Sequence, residues 1–343
     1  MCESTILPSP LAETLRHVGS KLADRRRIGG DLASLPELLG AVSVSDFPRA
    51  EREIVSAACL YSWRRPMTYL ERLFGRTVFD TDQLKKIDGL EYLFIFHRDG
   101  RLREAALQKL SGPLPNAFLF TAIAWRLNDW APAVRVAAAD CARQTFPQTP
   151  AAIVAQAAIV LMLRKATWNR WGPEEAILEE AFSRPDVAAC LAASISNRST
   201  GRMASLLRQA LRASSMDKHL PLLAQTAVQP SVRAAATQCL LNECAEWPVG
   251  WHWKWIDKSM GVRRKETTFA RRSLTIPVDL EAVIRRGLSD RAGAVRSIAM
   301  SGLIRHRADI RDALQLATGM LADKSTSVRA RAEFALRCDL PSE

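Results

Sequence analysis

Apolar residues along this chain recur at helical spacing, and the strongest recurrence is a fixed frame, Leu-x-Asp-x-x-x-x-Val-Arg-x-x-Ala. It stands at Leu127, Asp129, Val134, Arg135 and Ala138, at Leu288, Asp290, Val295, Arg296 and Ala299, and at Leu321, Asp323, Val328, Arg329 and Ala332. A fourth copy keeps its second half, Val232, Arg233 and Ala236, with Ala227 where the acid belongs. Leu102, Arg103 and Ala106 match that half too, with Asp99 arriving late for the acid. The steps from Leu102 to Val134 and from Val295 to Val328 are nearly equal. A period in the low thirties predicts a unit of two antiparallel helices and two turns.

Within the frame, Asp falls at a turn and Val-Arg opens the next helix. Pro132 and Pro230, each two before the Val, fit a first helical turn, where no backbone donor is lost. Ala three after the Arg and a small residue six after it (Cys141, Cys239, Gly302, Ala335) share one face and allow close helix approach. Leu stands seven after the Arg at 110, 240, 303 and 336. One helix pair cannot cover such a face, so neighbours must stack.

Elsewhere the pattern thins. Leu11, Leu15, Val18 and Leu22 predict an amphipathic helix over 11–27, closed by Asp24-Arg25-Arg26-Arg27 and Gly29-Gly30. Val44, Asp46 and Arg52 make a degenerate copy of the frame, and the stretch around Tyr69 to Phe74, after Trp63-Arg64-Arg65-Pro66, reads as helical without a repeat. The interval from Val134 to Val232 leaves room for two eroded units, and that from Val232 to Val295 for one. Pro150 and Pro173 read as first-turn prolines, with Thr149 as a cap. The longest apolar stretch, Ala151 to Leu163, is too short to span a bilayer and fits a buried helix. The expected organisation is an N-terminal helical region over 1–88 and a repeat array over 89–343, interrupted by an irregular segment at 247–272.

Composition adds a preference for helix through frequent Ala, Leu and Arg. It also adds charge. The chain carries 48 Lys and Arg against 36 Asp and Glu, a net of +12, which favours anionic partners without choosing among them. Seven Cys form no Cys-x-x-Cys pair and show no His at zinc spacing, so they suit a reducing compartment, and no metal site is expected. Met1 to Pro10 lacks the pattern of a cleavable signal, and the expected location is cytoplasmic.

The repeated residues resemble HEAT repeats over roughly 90–343. The resemblance implies an all-α fold, a right-handed superhelical solenoid of HEAT-like antiparallel helix pairs. It also implies that Asp129, Asp290 and Asp323 with Arg135, Arg296 and Arg329 form a hydrogen-bonded ladder linking successive repeats. These six residues therefore read as structural. The Val232 copy lacks the acid, which puts its step in doubt.

The regularity breaks at Trp247 to Arg272. Trp247, Trp251, Trp253 and Trp255 crowd together, and Lys254, Arg263, Arg264, Lys265, Arg271 and Arg272 accompany them. From Gly250 to Ser273, seven Lys and Arg stand against two acids, a net of +5. The leading reading has the indoles packing inside a long helix hairpin. Nucleic-acid contact, with indoles stacking and cations on phosphates, comes second, and a protein hot spot third. The every-second spacing of Trp251, Trp253 and Trp255 suits a strand or extended loop better than one helix face. A smaller cluster, Lys165, Trp168, Arg170 and Trp171, reads first as a packed turn.

No phosphate-cradling glycine loop, nucleophile elbow or His-Glu-x-x-His motif is present, and the five His are scattered. The expected function is a non-enzymatic scaffold that binds a protein through a basic superhelical surface, with no cofactor and no membrane insertion. The alternative is a nucleic-acid-binding protein. Its enzymatic variant is a HEAT-like glycosylase for alkylated purines, to which Trp125, Asp129 and Trp130 bear a superficial similarity.

Overall fold

The computed structural model describes residues 5–24, 26, 28, 32–61, 80–170 and 172–337. The chain divides into two compact units, Met1–Phe182 and Ser183–Glu343, so the boundary expected near residue 88 lies inside the first. The described residues are mostly helical. The first unit holds α1 (Ser9–Ala23), α2 (Leu35–Gly40), α3 (Phe47–Ala57), α4 (Asp80–Lys86), α5 (Glu91–Phe94), α6 (Gly100–Lys109), α7 (Ala117–Arg126), α8 (Pro132–Thr145), α9 (Ala151–Arg164) and most of α10 (Glu174–Ser183). The second holds α11 (Pro185–Asn197), α12 (Met203–Ala210), α13 (Leu220–Thr226), α14 (Pro230–Leu241), a hairpin of β1 (Cys244–Asp257) and β2 (Val262–Ser273), then α15 (Leu280–Leu288), α16 (Gly293–Arg305), α17 (Ala313–Gly319) and α18 (Thr326–Arg337).

The frame positions form the buried seams between helices. The Val position (Val134, Val232, Val295, Val328) and the Ala three after the Arg (Ala106, Ala138, Ala236, Ala299, Ala332) are buried in every copy. In the second unit α13, α15 and α17 pack on α14, α16 and α18, and these last three pack side by side in order. Small residues make that approach feasible. A Cβ added at Gly302 would stand 2.7 Å from Leu241 Cδ1, so α16 meets α14 too closely for any larger side chain without rearrangement.

A guanidinium ladder runs along the turns within each unit. Each ladder arginine sends Nη1 to the carbonyl six positions back: Arg103 to His97, Arg135 to Asp129, Arg233 to Ala227, Arg296 to Asp290 and Arg329 to Asp323, at 2.6–2.9 Å. Three of them also grip the next turn's aspartate with the Nε and Nη2 fork. Arg103 holds Asp129 at 3.0 and 2.9 Å, Arg233 holds Asp290 at 2.7 and 2.9 Å, and Arg296 holds Asp323 at 2.6 and 2.8 Å. Each aspartate then accepts the backbone N–H two positions on, at Ala131, Ala292 and Ser325. The Arg233 step is intact although Ala227 replaces its acid, because the bond to that position uses only the backbone carbonyl.

Other details depart from expectation. Arg52 is exposed and joins no rung among the described residues, and its neighbour Glu51 instead pairs with Arg126. Pro150, not Thr149, occupies the cap position of α9. Thr149 Oγ1 donates to Thr145 O and accepts from Leu114 N. Helix α1 buries Leu11, Leu15, Val18 and Leu22 as their spacing predicts, and α9 buries half of its residues, among them Val154, Ile159 and Leu161. Arg25, Arg27, Gly29, Gly30 and the stretch from Trp63 to Phe74 lie outside the described residues.

The all-α expectation needs one correction. The segment thought irregular is an antiparallel hairpin, Cys244 pairing with Ser273 at its root and the register shifting at Pro248/Gly250 and at Trp255/Asp257, and it fills the long interval in place of an eroded helical unit. Arg233 and its aspartate, Asp290, are 57 residues apart, whereas Arg296 and its aspartate, Asp323, are 27 residues apart. The excess of the first step over the second equals the length of the stretch from Cys244 to Ser273. The hairpin is thus inserted between the two turns of an otherwise ordinary repeat.

Candidate functional site

Alternation of aromatic or β-branched residues with charged ones favours strand over helix here. A tight turn closes it. Asp257 Oδ1 accepts from Ser259 N (2.8 Å), Ser259 Oγ (2.6 Å) and Met260 N (3.1 Å), and Gly261 supplies the left-handed residue at φ 68°. Directly opposed residues share a face, and the register sets Trp251 across from Thr267, Trp253 from Lys265 and Trp255 from Arg263. Three indoles and two cations therefore occupy one side of the ribbon.

Those side chains interlock. Arg263 Cζ lies 4.5 Å from the Trp253 ring centre, and Lys265 Nζ lies 4.1 Å from that of Trp251. The Trp251 and Trp253 rings meet edge to face at 5.7 Å. Each such cation–π contact contributes roughly 0.5–1 kcal/mol at an exposed site. Trp251, Trp253 and Trp255 are 55%, 43% and 49% exposed, so the expectation that they pack inside a helix hairpin is wrong. The physical reason is that the ribbon stands clear of the helices along this stretch, and none of the described residues covers it. The opposite face is more nearly neutral. Lys254 pairs with Glu266 at 3.1 Å, His252 Nε2 lies 3.6 Å from the same carboxylate, and His252 Nδ1 meets Thr268 Oγ1 at 3.2 Å. Among the described residues, Arg263, Arg264 and Lys265 have no carboxylate within ion-pair distance.

The root of the ribbon is anchored by a residue the sequence did not single out. Asp217 is fully buried and receives Arg272 Nη1 and Nη2 at 2.7 and 2.6 Å and both Thr275 N and Thr275 Oγ1 at 2.9 Å. Burial pushes its carboxyl up, but the hydrogen bonds from Arg272 and Thr275, with the Arg272 charge, outweigh that and hold it below the usual range. Arg272 also donates to Leu211 O and Ala213 O. Its expected place among binding residues is corrected to that of an anchor. Arg271 pairs with Glu246 at 2.8 Å, and Trp247 is half-buried near the root. An isolated two-stranded ribbon is marginal in water, so this anchor gives the hairpin its persistence. Sequence reading also passed over the apolar tip, where Met260 and Ile256 are 76% and 62% exposed. Only its lack of any helical partner position could have signalled it.

The second aromatic cluster is a packed turn in the first unit. Trp168 is half-buried, edge-on to Trp125 at 5.2 Å, and Trp125 packs on Phe47 at 5.1 Å. Lys165 is buried and paired with Glu175 and Glu179. Trp171 lies outside the described residues. Asp129 is not a free carboxylate. Its oxygens accept from Arg103, Arg126 Nη1 (3.2 Å) and Ala131 N. Burial raises its pKa, yet the Ala131 and Arg103 hydrogen bonds and the two arginine charges hold it low. With its lone pairs committed and its side chain buried, it is not positioned to act on a bound base.

Cys141 and Cys239 are buried at small-residue positions, and burial pushes their thiols up to about 12 and about 11. Among the described residues no group of three His, Cys, Asp or Glu could hold a metal ion, and no helix is long and apolar enough to cross a membrane. Comparison with known proteins finds no matching family model and no match among curated proteins.

Proposed function

We propose that this chain is a non-enzymatic, HEAT-like helical-repeat scaffold, its helix pairs wound in a right-handed superhelix, that binds single-stranded nucleic acid on the tryptophan face of its inserted hairpin. One observation carries the reading: three exposed indoles alternate with Arg263 and Lys265, which have no acidic partner of their own among the described residues. Unpaired bases offer π faces to such indoles, each stack contributing roughly 1–3 kcal/mol without sequence preference. The cations sit at the same surface, where they neutralise backbone phosphates. The repeated Asp–Arg rungs support the HEAT-like part of the reading, because three of them tie one turn to the next in the same geometry.

A protein partner is the second reading, and the exposed apolar tip at Ile256, Met260 and Val262 favours it. The two separate in one experiment. Binding of a labelled oligothymidylate is followed by fluorescence anisotropy at low salt. The nucleic-acid reading expects binding that weakens steeply as salt rises and is lost in Trp251→Ala/Trp253→Ala. No binding at low salt, together with a nuclease-resistant protein partner that is lost in Ile256→Ser/Met260→Ser, replaces it with the second.

A further inference from the structure

The ladder has a rung whose acid is reversed in charge. Arg135 keeps the first half of the geometry, with Nη1 on Asp129 O at 2.9 Å, but no carboxylate among the described residues meets its fork. The turn that should supply one reads Asn169-Arg170-Trp171-Gly172-Pro173, and the turn before it reads Asn128-Asp129-Trp130-Ala131-Pro132. The two share Asn-x-Trp-small-Pro, and Arg170 stands at the place of Asp129. They are also neighbours in space, because Arg170 N donates to Asn128 Oδ1 at 2.9 Å. The acids close by are committed elsewhere: Glu175 and Glu179 to Lys165, and Glu174 to Gly172 N. Among the described residues, neither Arg135 nor Arg170 has a carboxylate partner.

We propose that this rung is completed by a bound phosphate group, held between the Arg135 fork and Arg170. A guanidinium fork matches a phosphate's oxygens as well as it matches the aspartate it grips in the other rungs. Two guanidiniums without acids on adjoining turns favour an anion, and a group carrying close to two negative charges suits two cations better than a single carboxylate does. Trp130, at 68% exposure, stands beside the site with its ring open to solvent except where Arg103 lies 5.8 Å from its centre. It offers a flat apolar face to whatever carries the phosphate. Arg329 also ends in an open fork, but no motif with a second cation adjoins it in the described residues. The site is in the first compact unit and does not depend on the hairpin reading.

The test uses thermal melts of the full chain in chloride and in inorganic phosphate at equal ionic strength. About 20 mM phosphate is expected to raise Tm by roughly 2–4 °C over chloride. Arg170→Asp restores the missing acid, so it is expected to raise Tm in chloride and to remove the phosphate response. Arg135→Gln is expected to remove the response without that gain. Calorimetric titration with inorganic phosphate should show at least tenfold weaker binding in both variants. A phosphate response that persists in Arg170→Asp, or a wild-type chain that responds no more to phosphate than to chloride, overturns the proposal. Titration with 5′-phosphorylated thymidine dinucleotide separates the sources. Tenfold tighter binding than inorganic phosphate, lost in Trp130→Ala, assigns the phosphate to a nucleotide, and equal binding assigns it to free phosphate.

Discussion

The ladder aspartates show how one carboxylate can look catalytic and be structural. Asp129 sits in a turn beside two tryptophans, but every lone pair directed at the protein is engaged. Removing one partner of a buried ion pair leaves an uncompensated charge and costs about 3–5 kcal/mol, so Asp129→Ala is expected to lower stability by that order in urea unfolding. The pH dependence has a definite sign. Asp129, Asp217 and Asp290 are held below their ordinary pKa, so the folded state binds fewer protons than the unfolded one. Their stabilisation is complete above about pH 4, the unfolded Asp range, and is lost as pH falls through the depressed values. Asp217→Asn should therefore be less stable than the natural chain at pH 7, with the gap narrowing as pH falls below about 4. A gap that is constant across that range would show that Asp217 keeps its ordinary pKa. Both halves of each rung were visible in the sequence frame, but which arginine holds which aspartate was not. Arg103 and Asp129 are 26 residues apart, and only the stacking of units brings them together.

At the scale of elements, the helices were legible because each must bury one face at a period near 3.6, and that face holds Val, Ala and Leu at fixed places. Gly302 is an extreme of the same rule, and Gly302→Val is expected to cost about 1–3 kcal/mol by overpacking α16 on α14. The hairpin was half legible. Alternating tryptophans gave its strand character, but the sequence could not show whether helices cover them, since that depends on what lies opposite. The anchor was invisible for the same reason: Arg272 meets Asp217 across 55 residues. Because the ribbon is an insertion, its outer part should be removable. Replacing Pro248–Phe269 with Asn-Gly keeps Arg272 on Asp217 and joins Trp247 to Ala270, which face each other, by a favoured two-residue turn. The shortened chain is expected to melt within a few degrees of the full one and to lose oligonucleotide binding. A collapse of the melting transition would mean that the ribbon is part of the core.

For the whole molecule, the net charge of +12 gives a general attraction for polyanions, and the hairpin localises it. General attraction and a built surface differ in how they respond to the loss of a few residues. Lys258, Arg263, Arg264 and Lys265 are the hairpin cations without an ion pair among the described residues. If each meets a phosphate of a single strand, log affinity should fall against log salt with a slope of about −3, at about −0.7 per phosphate. The most direct test is that slope, measured by anisotropy with oligothymidylate for the natural chain and for Arg263→Ala/Arg264→Ala/Lys265→Ala. The account predicts a shallower slope by about 2 and at least tenfold weaker binding in the variant, with an unchanged melting temperature. An unchanged slope and affinity would contradict it, because the charge that holds the strand would then lie elsewhere on the molecule.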